Sequence, residues 1–182
     1  MENEKYLFVV SGAAGTGKDS VVKALRTAHP DEALTVWLLH SGIRPAALET
    51  VERQCGRLGM TLRCLTVDRS VFDAAPVTRQ YPQEMYYRLL APCLLPEDLD
   101  RILYLDPDIL VINSLRPLWE MDLQGKLFAA ASHTGVTEIA NSVNRLRLKT
   151  DSDYYNSGVL LIDLNAGRKE VDPREVFAFS AE

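Results

Sequence analysis

Short runs dominated by apolar residues alternate along the chain with stretches in which apolar positions recur every three or four residues. Tyr6-Leu7-Phe8-Val9-Val10, Leu34-Thr35-Val36-Trp37-Leu38-Leu39 and Arg101-Ile102-Leu103-Tyr104-Leu105 are of the first kind. An extended segment of this composition is apolar on both faces, as a parallel strand covered by helices must be. Thr61 to Val67, Leu127-Phe128-Ala129-Ala130-Ala131 and Ser157-Gly158-Val159-Leu160-Leu161-Ile162 predict three further strands. Val21, Val22, Ala24 and Leu25 fall at helical spacing, and Pro45 to Arg57 predicts a helix that closes near Gly56 or Gly59. Pro82 to Leu95 predicts another, with Pro82 in its first turn and Pro92 required to bend or end it. Asp172 to Phe179 reads as the opening of one more. Strand and helix alternate without internal repeats, which predicts one α/β domain over residues 1–182 with a mostly parallel sheet.

Composition narrows the function classes. A chain of 182 residues suffices for one domain with a real core. Its net charge of −5 argues against a polyanion-binding surface, so no nucleic-acid partner is expected. No apolar run approaches the length of a membrane span. The acidic start, Met1-Glu2-Asn3-Glu4-Lys5, lacks the pattern of a secretory signal, which gives a cytoplasmic location as the expectation. Cys55, Cys64 and Cys93 have no metal-ligand spacing and read as reduced thiols.

The candidate chemistry begins where the strand ending at Leu105 runs into Asp106-Pro107-Asp108. In an extended segment positions i and i+2 face the same side, so the two carboxylates can converge on one hard cation such as Mn²⁺ or Mg²⁺. Taken alone, the pair also fits a solvated turn set by Pro107. Three other segments accompany it in order: Tyr86-Tyr87-Arg88-Leu89-Leu90-Ala91-Pro92, Leu118-Trp119-Glu120-Met121-Asp122-Leu123 and Tyr155-Asn156-Ser157-Gly158-Val159-Leu160-Leu161-Ile162-Asp163-Leu164. With His40-Ser41-Gly42-Ile43, this set resembles the family-8 glycosyltransferases, retaining enzymes of the GT-A fold, from about Trp37 onward.

The resemblance implies transfer of a hexose from a UDP-sugar to a saccharide or lipopolysaccharide-type acceptor. It gives Asp106 and Asp108 the metal and its diphosphate, and Arg88 a contact to donor groups. Read by itself, Arg88 would be a surface arginine paired with Glu84 at i−4. Asn156 and Gly158 resemble the loop that touches the donor sugar or the acceptor, although Gly158 also suits a close backbone approach. His133 falls where the family has a residue near the donor sugar, and a loop histidine is otherwise an ordinary surface group. No carboxylate stands out as a nucleophile. The family's remaining metal ligand, in a His-x-Gly segment, lies further toward the C-terminus, so the chain is expected to be truncated.

The start of the chain carries a second pattern. Gly12-Ala13-Ala14-Gly15-Thr16-Gly17-Lys18 matches a phosphate-binding loop between a strand and a helix, with Gly12, Gly15, Gly17 and Lys18 as the candidate phosphate contacts. Asp19 replaces the hydroxyl residue that usually follows the lysine. Residues 6–36 resemble the opening of guanylate kinases, which suggests a chimera: a P-loop segment over 1–36 joined to a transferase body over 37–182. The alternative function on this reading is a nucleotide kinase fragment or a non-catalytic scaffold.

Overall fold

The computed structural model describes residues 6–11, 18–77, 82–132, 145 and 155–180. Its elements run β1 (Tyr6–Ser11), α1 (Lys18–Ala28), β2 (Leu34–His40), α2 (Pro45–Arg57), β3 (Thr61–Thr66), α3 (Tyr87–Leu94), β4 (Arg101–Leu105), α4 (Arg116–Trp119), β5 (Phe128–Ser132), β6 (Tyr155–Asp163), α5 (Leu164–Glu170) and α6 (Pro173–Ser180). Short 3₁₀ turns cover Arg69–Phe72 and Gln83–Tyr86. The strands form one sheet in the order β3-β2-β1-β4-β6-β5.

The first four strands of that order are parallel, whereas β6 runs antiparallel to both β4 and β5. The sheet is therefore mostly parallel, as expected, with β6 the one reversed strand among those described. Apolar content could not foretell the reversal, because a strand buried on both faces looks alike in either direction. From β1 the chain builds outward to β2 and β3, then returns to place β4 on the other flank of β1. Ligands of open α/β sheets bind at such a switch, beyond the carboxyl ends of the strands.

Alternation along each strand divides the core in two. Phe8, Val36, Leu103, Leu105 and Leu161 face Val21, Val22 and Leu25 of α1 and Cys55 of α2. Leu39, Ile102, Tyr104, Leu160 and Ile162 face Tyr87, Leu90 and Ala91 of α3, with Leu164 and Phe177 closing that layer. At about 1.5–3 kcal/mol for each large apolar side chain buried, these two layers supply the main drive to fold.

Two helices differ from expectation. Residues 83–94 are a 3₁₀ turn followed by α3, and α3 continues two residues beyond Pro92 instead of stopping there. Helix α5 had no periodic signal, but Asp163 caps it by accepting from the Ala166 N–H at 2.8 Å. Gly167 lets α5 lie directly on Pro92, since a Cβ there would sit 2.4 Å from Pro92 Cγ.

Candidate functional site

Asp106 follows β4, and its position is fixed from the backbone outward. Its N–H donates to the Gly158 carbonyl at 2.8 Å, which extends the β4–β6 ladder by one bond. Asp106-Pro107-Asp108 is a turn, not an extended segment, with the Ile109 N–H donating back to the Asp106 carbonyl at 3.3 Å. The extended i, i+2 argument therefore does not describe this pair. Asp108 is exposed and Asp106 is half-buried.

Both Asp106 oxygens are engaged. The Tyr104 hydroxyl donates to Oδ1 at 2.8 Å, and Arg88 Nη1 donates to Oδ2 at 3.0 Å. Arg88 therefore pairs with Asp106 at the carboxyl end of β4, not with Glu84 in the 3₁₀ turn before its helix. The same Nη1 donates to the Ser157 carbonyl at 2.9 Å and to Ser157 Oγ at 3.0 Å, and the guanidinium lies over the Tyr104 ring, 5.1 Å from its centroid. Arg88 thus ties α3, the end of β4 and the start of β6 to one point.

Asn156 lies on the same edge. Its Oδ1 accepts from the Gly158 N–H at 2.8 Å, which leaves its exposed amide as the group able to meet a ligand. Gly158 sits in a tight space: a Cβ would lie 3.1 Å from Asn156 Oδ1 and 3.2 Å from Asp106 Oδ2, so a larger residue would press on both side chains. Arg88, Asp106, Asn156 and Gly158 are accordingly brought together, with Asp108 on the adjoining turn. His133, Gly12, Gly15 and Gly17 lie outside the described residues, and Lys18 is the first residue of α1. A groove of about 350 Å³ leads from Arg88, Asn156 and Ser157 onto the apolar surface of Leu89, Pro92, Phe128, Tyr155 and Val176.

Tyr104 and Ser157 were not singled out from the sequence. The signal for Tyr104 was available: it stands two residues before Asp106, and every neighbour of it in β4 is aliphatic except the opening arginine. Ser157 touches Arg88 across a separation of 69 residues, which no local pattern encodes. At the end of β2, His40 Nδ1 accepts from the Ile43 N–H at 3.4 Å, and burial lowers the pKa of this imidazole. Gly42, at φ +150°, takes a conformation that favours glycine.

As a donor set, two carboxylates suit a hard divalent cation, and each Asp106 oxygen keeps a second lone-pair direction beside its one hydrogen bond. Among the described residues no group of three or more His, Cys, Asp or Glu side chains could enclose an ion. A cation here would take its other ligands from substrate oxygens and water. No helix among the described residues is long and apolar enough to cross a membrane.

Comparison with known proteins bears on the whole chain. General stress protein A of Bacillus subtilis (strain 168) is 26% identical over 162 residues, covering 88% of this chain and 56% of its own length. Lipopolysaccharide 1,2-glucosyltransferase of Escherichia coli (strain K12) is 32% identical over 109 residues, 59% of this chain and 31% of that protein. The crystal structure of the galactosyltransferase LgtC with donor and acceptor sugar analogs superposes with a TM-score of 0.79 at 28% identity, covering 93% of this chain and 61% of that one. The fold is thus the GT-A fold, and the chain spans about three fifths or less of the length of these relatives. The model of Glycosyl transferase family 8 matches residues 3–178, and so runs through the glycine-rich loop as well as the body. The guanylate-kinase-like reading of residues 6–36, and the join it implied near Val36-Trp37, gain no support from these comparisons. With the match extending over nearly the entire sequence, this chain belongs to glycosyl transferase family 8.

Proposed function

We propose that this chain binds a UDP-sugar through a divalent cation on Asp106 and Asp108, and transfers its hexosyl group to a saccharide-type acceptor with retention of configuration. The observation that carries this reading is the Asp106 carboxylate, held by Tyr104 and Arg88 at the carboxyl end of β4, where the strand order switches. Family membership gives the reaction class, and the LgtC complex with donor and acceptor sugar analogs supports a sugar donor and a sugar acceptor. Resemblance to lipopolysaccharide 1,2-glucosyltransferase favours a lipopolysaccharide-type acceptor among saccharides.

Bound there, Mn²⁺ or Mg²⁺ would neutralise charge on the departing diphosphate. The chain's own residues supply the rest. Arg88 offers a planar guanidinium beside the anionic leaving group, and its contacts to Ser157 keep it at that edge. Asn156 presents amide donors to sugar hydroxyls, and Gly158 keeps the strand edge low enough for a sugar ring to approach. His133 is proposed as a further donor-side contact.

The test is thermal stability of the purified chain with Mn²⁺ and UDP-glucose or UDP-galactose, beside ATP. Native-state binding adds about 2.7 kcal/mol of stability at a hundredfold excess over Kd, and the midpoint rises accordingly. A Mn²⁺-dependent rise with a UDP-sugar, lost in Asp106→Asn/Asp108→Asn, is the expected result. A response to ATP alone, lost in Lys18→Ala, would instead place the nucleotide at the loop before α1 and sink this reading.

A further inference from the structure

The Asp106 carboxylate sits at the open edge of the sheet, yet both of its oxygens are aimed by the protein. One partner is Arg88. The other, Tyr104, stands in the strand that runs into Asp106-Pro107-Asp108: its side chain is fully buried in the core between the sheet and α3, and only the hydroxyl reaches outward to Asp106 Oδ1. Its ring meanwhile forms the surface under the Arg88 guanidinium. One rigid aromatic side chain thus fixes the first carboxylate directly and the arginine that pairs with it by its face.

Physically this matters because a free aspartate on a turn samples several side-chain rotamers, and a cation must freeze it in one. Tyr104 cannot swing away, since a closely packed core surrounds its ring. Gly158 completes the seat, because its missing Cβ leaves room for Oδ2.

We infer that Tyr104 is a positioning residue for Asp106, presetting the carboxylate for a divalent cation. This rests on the reading of Asp106 as a metal ligand. It predicts that Tyr104→Phe, which keeps the ring, its packing and the surface under Arg88, weakens cation binding without unfolding the chain. Partners behind a metal ligand are typically worth about 10- to 100-fold in metal affinity.

The experiment titrates Mn²⁺ into wild type, Tyr104→Phe and Asp106→Asn, reading the free ion by electron paramagnetic resonance and Tm by calorimetry. The expected result is Mn²⁺ binding by wild type, its loss in Asp106→Asn, and an affinity about 10- to 100-fold weaker in Tyr104→Phe at nearly unchanged Tm. Equal affinity in Tyr104→Phe and wild type would overturn the inference. A parallel loss of Tm and affinity would also overturn it, assigning Tyr104 a purely structural role. Absence of Mn²⁺ binding by wild type would instead overturn the reading of Asp106 as a metal ligand. In that case a crystal structure of Tyr104→Phe decides the positioning role: a reoriented Asp106 carboxylate upholds it, and an unmoved one refutes it.

Discussion

At the scale of single residues the site is a matter of reach and of room. Arg88 reaches three acceptors through Nη1 while its plane lies on Tyr104, and a lysine ammonium, a compact point charge with no flat face to rest on that ring, is not held in the same place over those acceptors. Hydrogen bonds to charged groups contribute about 1.5–3 kcal/mol each. Arg88→Lys is therefore expected to lower kcat/KM for sugar transfer by about ten- to a hundredfold, since each 1.4 kcal/mol is tenfold. The measurement is initial rates at subsaturating donor, and an unchanged value would show that charge alone suffices. Gly158→Ala argues the same point through space: the added methyl group presses on Asp106 Oδ2 and Asn156 Oδ1, at 3.2 and 3.1 Å. Activity should fall further than Tm does. Both residues were legible in the sequence as site candidates, but the contact of Gly158 with Asp106 was not, because Asp106 Oδ2 reaches it from the end of β4, far away along the chain.

At the scale of elements, most of the fold followed from hydrophobic periodicity, and the misses share a cause. Strands β1, β2 and β4 and helix α2 were legible because each buries a continuous face that its own residues encode. Helix α5 was not, because Asn165-Ala166-Gly167-Arg168-Lys169 lacks an apolar periodicity: only the Asp163 cap before it is local, and the close contact at Gly167 is set by Pro92 and Leu127. Pro92, expected to bend or end its helix, sits buried within α3 two residues before its last, under that same glycine. The contact makes a sharp prediction. Gly167→Ala gains at most about 1 kcal/mol of helix propensity. It drives a methyl group to 2.4 and 2.7 Å from a rigid pyrrolidine ring and 3.0 Å from Leu127 Cδ1. Overpacking of this kind costs about 1–3 kcal/mol, so the net effect should be destabilising, by several degrees in Tm. Gly56→Ala, in α2 with open space around it, is the control and should be neutral or stabilising. Calorimetry of the two variants side by side checks the pair; equal midpoints would mean that α5 shifts freely over α3.

At the scale of the whole molecule, the two ends of the sheet have different tasks. The site occupies the carboxyl end of β4, and the opposite end is closed by arginines bonded to carbonyls. Arg26 donates to the carbonyls of His29, Pro30, Glu32 and Gly59, Arg101 to those of Trp119 and Met121, and Arg168 to those of Pro96 and Leu99. His29 belongs to this closure: fully buried at the end of α1, its Nε2 accepts from the Leu115 N–H at 3.0 Å. The segment from Asp108 to Leu115 is thereby anchored far from the site it leaves. Such a histidine must stay neutral, with its hydrogen on Nδ1, because a proton on Nε2 would face the Leu115 N–H. Desolvation by burial lowers its pKa from the ordinary 6.5, against the opposing pull of Glu32, while Arg116 and Arg26 nearby add to the lowering. The unfolded chain therefore takes up the proton first. Stability from this group is complete above about pH 6.5 and falls as the pH drops below it, toward the lowered folded value. His40, also lowered by burial, acts in the same direction. Glu32 and Asp68, held below their ordinary 4.5 and 3.8, lose their stabilising contribution only in more acidic solution, so the interval from about pH 7.5 to 5 isolates the histidines. Tm should decline over that interval in wild type. His29→Gln, whose amide oxygen can still accept from Leu115, should decline less, with His40 supplying the remainder. A wild-type Tm that is level from pH 7.5 to 5 would mean that His29 takes its proton without disturbing Leu115, and that the anchor of this segment is not the buried imidazole.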